Sequence, residues 1–332
     1  MRIVVVCNHP CKRTQWFMNT GKRMGSELVF MNYEELIEKL PDLHSTVIKL
    51  EPPVHKECRI EAYQILSRTY RDLLYELQQI PHASSVRFLN SPKSILCSMD
   101  KYQTKQELVG FPVTPLLGVG FRSLDELLVC MKERGKYSIF LKPRYGSGAG
   151  GVMAIRFNPR TGQWVAYTTL CVSGSSIYNT KKINRFSGYK EVMQLAETVM
   201  HMDAIAEEWI IKDQLAGENY DLRVVCQAGQ VDSMVVRCSR GTITNLHLNN
   251  KARLPEEIGL SADLQEEINN LCVHATQTMK LMYARIDILL TRGNRVPYLI
   301  EVNGQGDHIY QDMYGENHIY TNQIRWIQSL NR

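Results

Sequence analysis

No run of apolar residues approaches the ~20 needed to cross a bilayer, so no membrane-spanning helix is expected. The apolar start, residues 2–7, is too short for a signal peptide and ends in Asn8-His9-Pro10, so a buried first strand is expected. Charge of one sign is also scarce. The formal net charge is +5, with 22% charged residues. That is too mild to nominate nucleic acid as a partner, yet compatible with phosphates and carboxylates. The nine cysteines are scattered and include no CxxC pair. This argues against a disulfide framework or a zinc site and fits thiols in a reducing cytoplasm. There is no internal repeat or low-complexity tract. No Gly-Lys-Ser/Thr opens a helix as in a Walker A loop, and no GxGxxG follows the first strand.

What is present is a 332-residue chain, 44% apolar, long enough for two or three units. Over 1–95, strands at 2–7, 28–31 and 46–50 alternate with helices at 15–25 and 61–79. This predicts an α/β layer with a parallel sheet. A second unit, 96–203, holds a helix at 100–110 ended by Gly110 and a helix at 123–134 with the Ser123/Glu126 capping box. It continues with a strand at 138–142 and a hairpin of 152–157 with 164–169 about Asn158-Pro-Arg-Thr-Gly162. Then come an insert at 171–189 carrying Lys181, Lys182 and Arg185, and a helix at 188–200. A third unit, 204–332, holds a strand at 206–211 and hairpins of 222–227 with 231–238 and 283–290 with 298–303. Its helices are expected at 264–279 and 317–330.

Four constellations carry chemistry. The first is Leu141-Lys-Pro143, followed by a loop with Gly146, Ser147, Gly148, Gly150 and Gly151. Glycines let backbone N–H groups converge on phosphate oxygens, and Lys142 supplies a point charge. Because a strand follows, the loop is a hairpin flap. The second is Asp287 with Glu301 and Asn303. Glu301 and Asn303 share one strand face and Asp287 lies on the adjacent strand, a set of hard oxygens suited to Mg²⁺. The third is Asp221 and Arg223 on one face, with Arg237 across a hairpin, a set able to grip phosphate or acyl phosphate. The fourth is Glu207-Glu208-Trp209-Ile210, which could meet an adenine edge. Taken singly, each has a bland alternative: a ligand-free loop, exposed hairpin acids, a structural salt bridge, a core strand.

Taken in order, these pieces resemble the ATP-grasp superfamily, most closely the RimK-type glutamate ligase branch, over roughly 91–323. The run includes Ser91-Pro-Lys93, Asp100-Lys101, Phe111-Pro-Val-Thr-Pro115, Tyr220-Asp-Leu-Arg223, Thr244-Asn-Leu-His247, Ile286-Asp-Ile288 and Ile300-Glu-Val-Asn303. The resemblance implies an α/β ATP-grasp fold behind a Rossmann-like parallel-sheet domain. It implies that Lys101 and Lys142 contact ATP phosphates under the 146–151 loop. Glu208, Trp209 and Ile210 would form the adenine hinge, and Asp221 would approach ribose or substrate. Arg223 and Arg237 would hold the γ-phosphate and acyl phosphate, with Asn245 beside them. Asp287, Glu301 and Asn303 would ligate Mg²⁺, with Mn²⁺ as a substitute. The sequence departs from the family pattern at Leu248-Asn-Asn250, at Gly304-Gln-Gly-Asp307 and in the 171–189 insert.

The implied function is an ATP-dependent carboxylate–amine ligase working through an acyl phosphate, on an amino acid, peptide or protein tail. The alternatives are a ligase modifying a precursor peptide, a small-molecule kinase on the same fold, and an ATP-binding module. Expected partners are carboxylate and amine substrates, a peptide among them, with no membrane; a homo-oligomer is compatible with the sequence. His9, Lys12 and Arg13 after the first strand are candidates for an anionic substrate, as are Asp307 and His308. The aromatic-rich 310–320 stretch is expected to pack or close the cleft.

Overall fold

The computed structural model describes residues 2–146, 148–248, 250–306, 308 and 317–330. Among them no helix is long and apolar enough to cross a membrane. The first sheet has four parallel strands in the order β2-β1-β3-β4. They are β1 (Arg2–Val6), β2 (Glu27–Met31), β3 (Thr46–Leu50) and β4 (Val86–Phe88), alternating with α1 (Lys12–Arg23), α2 (Tyr33–Lys39) and α3 (Ile60–Gln79). The near-continuous apolar strands Ile-Val-Val-Val and Thr-Val-Ile-Lys-Leu are buried on both faces, as a covered parallel sheet requires. Helix α1 starts earlier than the periodicity predicts because Cys11 caps it and Thr14 closes the box.

Helices α4 (Pro92–Met99) and α5 (Lys101–Glu107) carry the chain out of this sheet. Ser91 caps α4 with Pro92 in its first turn, and Asp100 caps α5 by accepting from the N–H groups of Tyr102 and Gln103. The second sheet comprises β5 (Leu116–Val119), β6 (Ser138–Pro143), β7 (Met153–Asn158), β8 (Gln163–Ser173), β9 (Ser176–Ser187) and β10 (Ala204–Glu208), ordered β5-β10-β6-β7-β8-β9. It packs against α6 (Leu124–Glu133) and α7 (Tyr189–Met200).

Two local readings change here. The 171–189 insert is regular structure: β8 and β9 form one long hairpin, turned by Gly174 at φ 60°. Polar Asn179, Thr180 and Lys181–Lys182 hide the alternation because β9 is an edge strand exposed on much of its length. The strand read as 206–211 within the third unit runs over Ala204–Glu208 instead and hydrogen-bonds between β5 and β6 in the second sheet.

The third sheet is antiparallel, β14-β13-β12-β15-β16, with β11 beside β12. Its strands are β11 (Gln214–Leu215), β12 (Glu218–Gln227), β13 (Gln230–Ser239), β14 (Lys251–Arg253), β15 (Tyr283–Leu290) and β16 (Pro297–Asn303). Helix α8 (Ala262–Thr278) covers one face. Helix α9 (His318–Ser329) packs Tyr320, Ile324 and Ile327 against Ile3, Val5 and Phe17, tying the last helix to the first strand.

Candidate active site

The cross-strand register of the third sheet aligns the charged residues. Asp221 on β12 faces Arg237 on β13; Arg223 on β12 faces Asp287 on β15; Asp287 faces Glu301 on β16. Arg223 forks onto Asp287, with Nε–Oδ1 at 2.7 Å and Nη2–Oδ2 at 2.8 Å. Arg237 bridges the two acids, with Nε 2.7 Å from Asp221 Oδ1 and Nη2 3.0 Å from Asp287 Oδ2. Lys212, two residues after Ile210, reaches Asp221 Oδ2 at 2.8 Å and Thr244 Oγ1 at 2.7 Å, and Thr244 hydrogen-bonds the same Asp221 oxygen. Three cations thus surround two buried carboxylates, so the cluster keeps a net positive charge that suits an incoming oxyanion. Burial pushes the Asp287 carboxyl up, but the Arg223 and Arg237 guanidiniums more than reverse this and hold it well below the usual range. Asp221 is likewise held down, against its burial, by Arg237 and Lys212.

The second sheet contributes a second charged cluster. Lys142, near the end of β6, sits 2.6 Å from Glu207 Oε2, while Lys105 on α5 sits 3.2 Å from Glu207 Oε1. Thr114 donates to Glu207 at 3.0 Å, and Lys105 donates to the Thr114 carbonyl at 2.6 Å. Burial raises the Glu207 carboxyl and the two lysines reverse it, leaving it at about 2. Lys101, first residue of α5, lies 3.3 Å from Glu301 and donates to the Gly146 carbonyl at 2.8 Å. It therefore bridges the glycine loop to the third sheet.

The loop itself connects β6 to β7 as a flap. Gly148, Ala149 and Gly151 hold positive φ, and Thr169 on β8 donates to the Ala149 carbonyl at 3.0 Å. A Cβ at Gly151, where φ is +73°, would lie 2.8 Å from Pro143 Cγ. Gly151→Ala is expected to cost about 1–2 kcal/mol from the left-handed backbone alone. It should also weaken binding of an ATP analogue; a thermal melt and a titration with AMPPNP check both effects.

Many of these residues line one cleft between the second and third sheets. Its charged part holds Lys101, Lys142, Glu207, Lys212, Asp221, Arg237, Asp287 and Glu301. Its apolar part places Phe140, Val152 and Ile210 together with Leu289 and Ile300, a slot fit for a flat ring. Of the expected hinge, Glu208 and Ile210 line the cleft. Trp209 turns its ring onto Phe140 and Arg156 instead, at 5.5 Å and 4.8 Å. The Glu208 carboxylate lies 2.5 Å from Lys136, so what this residue offers a ligand is backbone rather than charge. Asn245, Gly146, Gly148 and Glu301 also line a second cleft, shared with Arg13, Pro52, His55, Tyr63, Arg223, Arg285, Asn303 and Gln305.

Sequence reasoning missed the roles of Glu207, Lys105, Thr114, Lys212 and Thr244. Glu207 stands next to the nominated Glu208, yet strand alternation turns it to the opposite face, where a buried acid demands a cation. Of the expected anion-binding residues after β1, Arg13 lines the second cleft. Lys12 lies exposed over Trp16. His308 is buried between the Tyr283 and Tyr320 rings and lines neither cleft. Ser147, Asp307 and 310–316 lie outside the described residues.

Among the described residues no group of three or more His, Cys, Asp or Glu could hold a metal. The nominated set is two carboxylates and an amide. Asp287 and Glu301 are cross-strand partners and Asn303 follows two residues on, with Glu301 opening on both clefts. Asp287 is shared with two guanidiniums, both of which reach Oδ2, while Oδ1 receives only Arg223 Nε and keeps a further lone pair. These hard oxygens, gathered where the two clefts meet at Glu301, are of the kind that Mg²⁺ takes.

Comparison with known proteins agrees with this geometry. Residues 181–327 match the family model of the RimK-like ATP-grasp domain. No curated protein matches the chain. Among solved structures, the D-cycloserine synthetase DcsG is similar with a TM-score of 0.63 at 9% identity, covering 99% of each chain. The ATP-grasp ligase PsnB, complexed with a minimal precursor, Mg and ADP, has a TM-score of 0.59 at 14% identity, covering 99% of this chain and 98% of its own. D-alanine–D-alanine ligase from Bacillus anthracis, complexed with ATP, has a TM-score of 0.56 at 19% identity, covering 100% of this chain and 98% of its own. The chain has the ATP-grasp fold.

Proposed function

We propose that this chain of ATP-grasp fold is an ATP-dependent ligase that joins a carboxylate to an amine through an acyl phosphate. The observation that carries the reading is the junction of two clefts at Glu301, Asn245 and the glycine loop. One cleft has an apolar slot and a cationic end suited to a nucleotide. The other lies on the side of the first sheet, carries guanidiniums of its own, Arg13, Arg223 and Arg285, and meets the first at those shared residues.

In this reading the adenine lies among Phe140, Val152, Ile210, Leu289 and Ile300 against the Glu208–Ile210 backbone. Lys101, Lys142 and the N–H groups of the loop at Gly146, Gly148, Gly150 and Gly151 hold the phosphates. Asp287, Glu301 and Asn303 would hold Mg²⁺, which supplies charge compensation when bound. A substrate carboxylate entering from the second cleft attacks the γ-phosphate. Arg223, Arg237 and Asn245 face the transferred group and offset its charge. Asp221 orients Arg237 and Lys212. An amine then displaces phosphate from the acyl phosphate and leaves an amide. No covalent enzyme intermediate is needed, so the sequence has no call for a nucleophile motif.

The three units expected at 1–95, 96–203 and 204–332 divide this labour as substrate wall, lid and metal-bearing base, with Ala204–Glu208 passing to the lid by its place between β5 and β6. A peptide substrate is the favoured subclass, because the ATP-grasp ligase PsnB, of similar fold, has a structure in complex with a precursor peptide. The compartment that goes with this reading is a reducing cytoplasm, on the scattered spacing of the nine cysteines in the sequence. The test is ADP release by the purified chain with Mg²⁺-ATP and pooled amino acids, dipeptides and acidic peptides. Turnover should require two co-substrates and vanish in the Asp287→Ala, Glu301→Ala double variant. A phosphorylated product formed from one hydroxylated substrate would assign a kinase instead.

A further inference from the structure

The second cleft is walled by two sheets. The first unit supplies Arg13 from the first turn of α1, and Pro52, Pro53 and His55 from the segment after β3. The third sheet supplies Arg223, Arg285 and Asn303. Among the described residues three guanidiniums line it against the single carboxylate of Glu301.

Arg13 differs from the other two in how it is held. Its Nη2 donates to the Pro52 carbonyl at 2.7 Å, and its Nε lies 3.2 Å from Glu51 Oε2. Glu51 is 0% exposed, and its other oxygen lies 2.7 Å from Nζ of Lys49, also 0% exposed. Lys49 in turn rests 4.4 Å above the Tyr283 ring of the third sheet. Lys49 and Glu51 neutralise each other, so Glu51 fixes the direction of Arg13 without cancelling its charge. Burying two full charges is costly, and apolar residues of the same volume would stabilise the fold at least as well. The pair makes sense as a mount for a guanidinium that must present its charge at a fixed place.

Arg223 is committed to Asp287, and Arg285 donates twice to the Gln305 carbonyl. Arg13 projects from the opposite unit, where Tyr63 and Leu66 add apolar surface. A guanidinium so placed selects a carboxylate.

We propose that the second cleft takes an acidic ligand bearing a carboxylate beyond the one that is activated, and that Arg13, mounted on the buried Lys49–Glu51 pair, is the residue that reads it. The proposal rests on the ligase reading of the same site for the fate of the ligand, but its binding can be tested alone.

The experiment is isothermal titration of the full chain, saturated with Mg²⁺ and AMPPNP. The probes are succinate, glutarate, citrate, aspartate, glutamate and glutamylglutamate, each paired with its amide. At least one acid should bind roughly tenfold or more tighter than its amide, a difference of about 1.4 kcal/mol. Arg13→Gln should abolish that preference and Arg13→Lys should keep part of it. A thermal melt and an AMPPNP titration of each variant check that it is folded. Acids and amides binding alike throughout, or a preference that survives in Arg13→Gln, would overturn the proposal. ADP release with pooled amines separates the two claims. Acid-selective, Arg13-dependent binding without ADP release under any amine keeps this proposal and removes the ligase reading. ADP release from a monocarboxylate at a rate indifferent to Arg13 does the reverse.

Discussion

Replacing Glu301 with alanine is expected to lower ATP turnover about a thousandfold while hardly moving the melting temperature. Its ion pair with Lys101 spans 3.3 Å and is partly exposed, so losing it should cost no more than ~1 kcal/mol of stability. The proposed ligand to Mg²⁺ is another matter. Glu301 opens on both clefts and faces Asp287 across the strand pair, where charge must be offset as phosphate transfers. Removing several kcal/mol of that compensation corresponds to roughly a thousandfold in rate. The measurement is kcat and KM for ATP across a Mg²⁺ titration. Turnover within tenfold of the parent at every Mg²⁺ concentration would remove Glu301 from the chemistry.

Glu207→Gln should act in the opposite way, on the fold first. Glu207 is buried against Lys142 and Lys105, and the substitution leaves two buried cations without a counter-charge. Breaking such a pair costs about 3–5 kcal/mol. The pH dependence gives a second signature. The Glu207 carboxyl lies at about 2 in the folded chain against an ordinary 4.5. A depressed acid stabilises the fold above its unfolded value, and that stability is lost as pH falls from about 4.5 towards 2. Urea unfolding between pH 7 and 3 should therefore show a steeper acid-side loss in the parent than in Glu207→Gln. Equal slopes with equal midpoints would mean that the cluster is not the ionised trio described here. Nucleotide affinity should fall too, because Lys142 loses the acid that aims it.

How much of this was legible in the sequence depends on whether a residue's role is local. The parallel first sheet, the hairpins of the third sheet and the glycine flap follow from period-two and period-3.6 patterns and from turn residues, all within short windows. The register that sets Arg223 opposite Asp287, and Asp287 opposite Glu301, follows from alternation once the hairpins are placed. Partnerships between distant segments were not legible. Nothing near Glu207 announces Lys105, about a hundred residues earlier, and nothing near Lys49 announces Tyr283. The strand β9 was hidden because an exposed edge strand carries lysines where a core strand carries valines. Trp209 illustrates the limit of motif transfer. It stands between the cleft-lining Glu208 and Ile210, but its ring serves the packing of Phe140 and Arg156.

The most direct test of the central claim follows an oxygen atom. Carboxylate substrates carrying a heavy-oxygen label are incubated with the chain, Mg²⁺-ATP and pooled amines, and the released phosphate is analysed by mass spectrometry. Passage through an acyl phosphate moves one labelled oxygen from the carboxylate into the phosphate, stoichiometric with ADP. ADP formed with unlabelled phosphate, or with the phosphoryl group retained on a stable ester, would contradict the account.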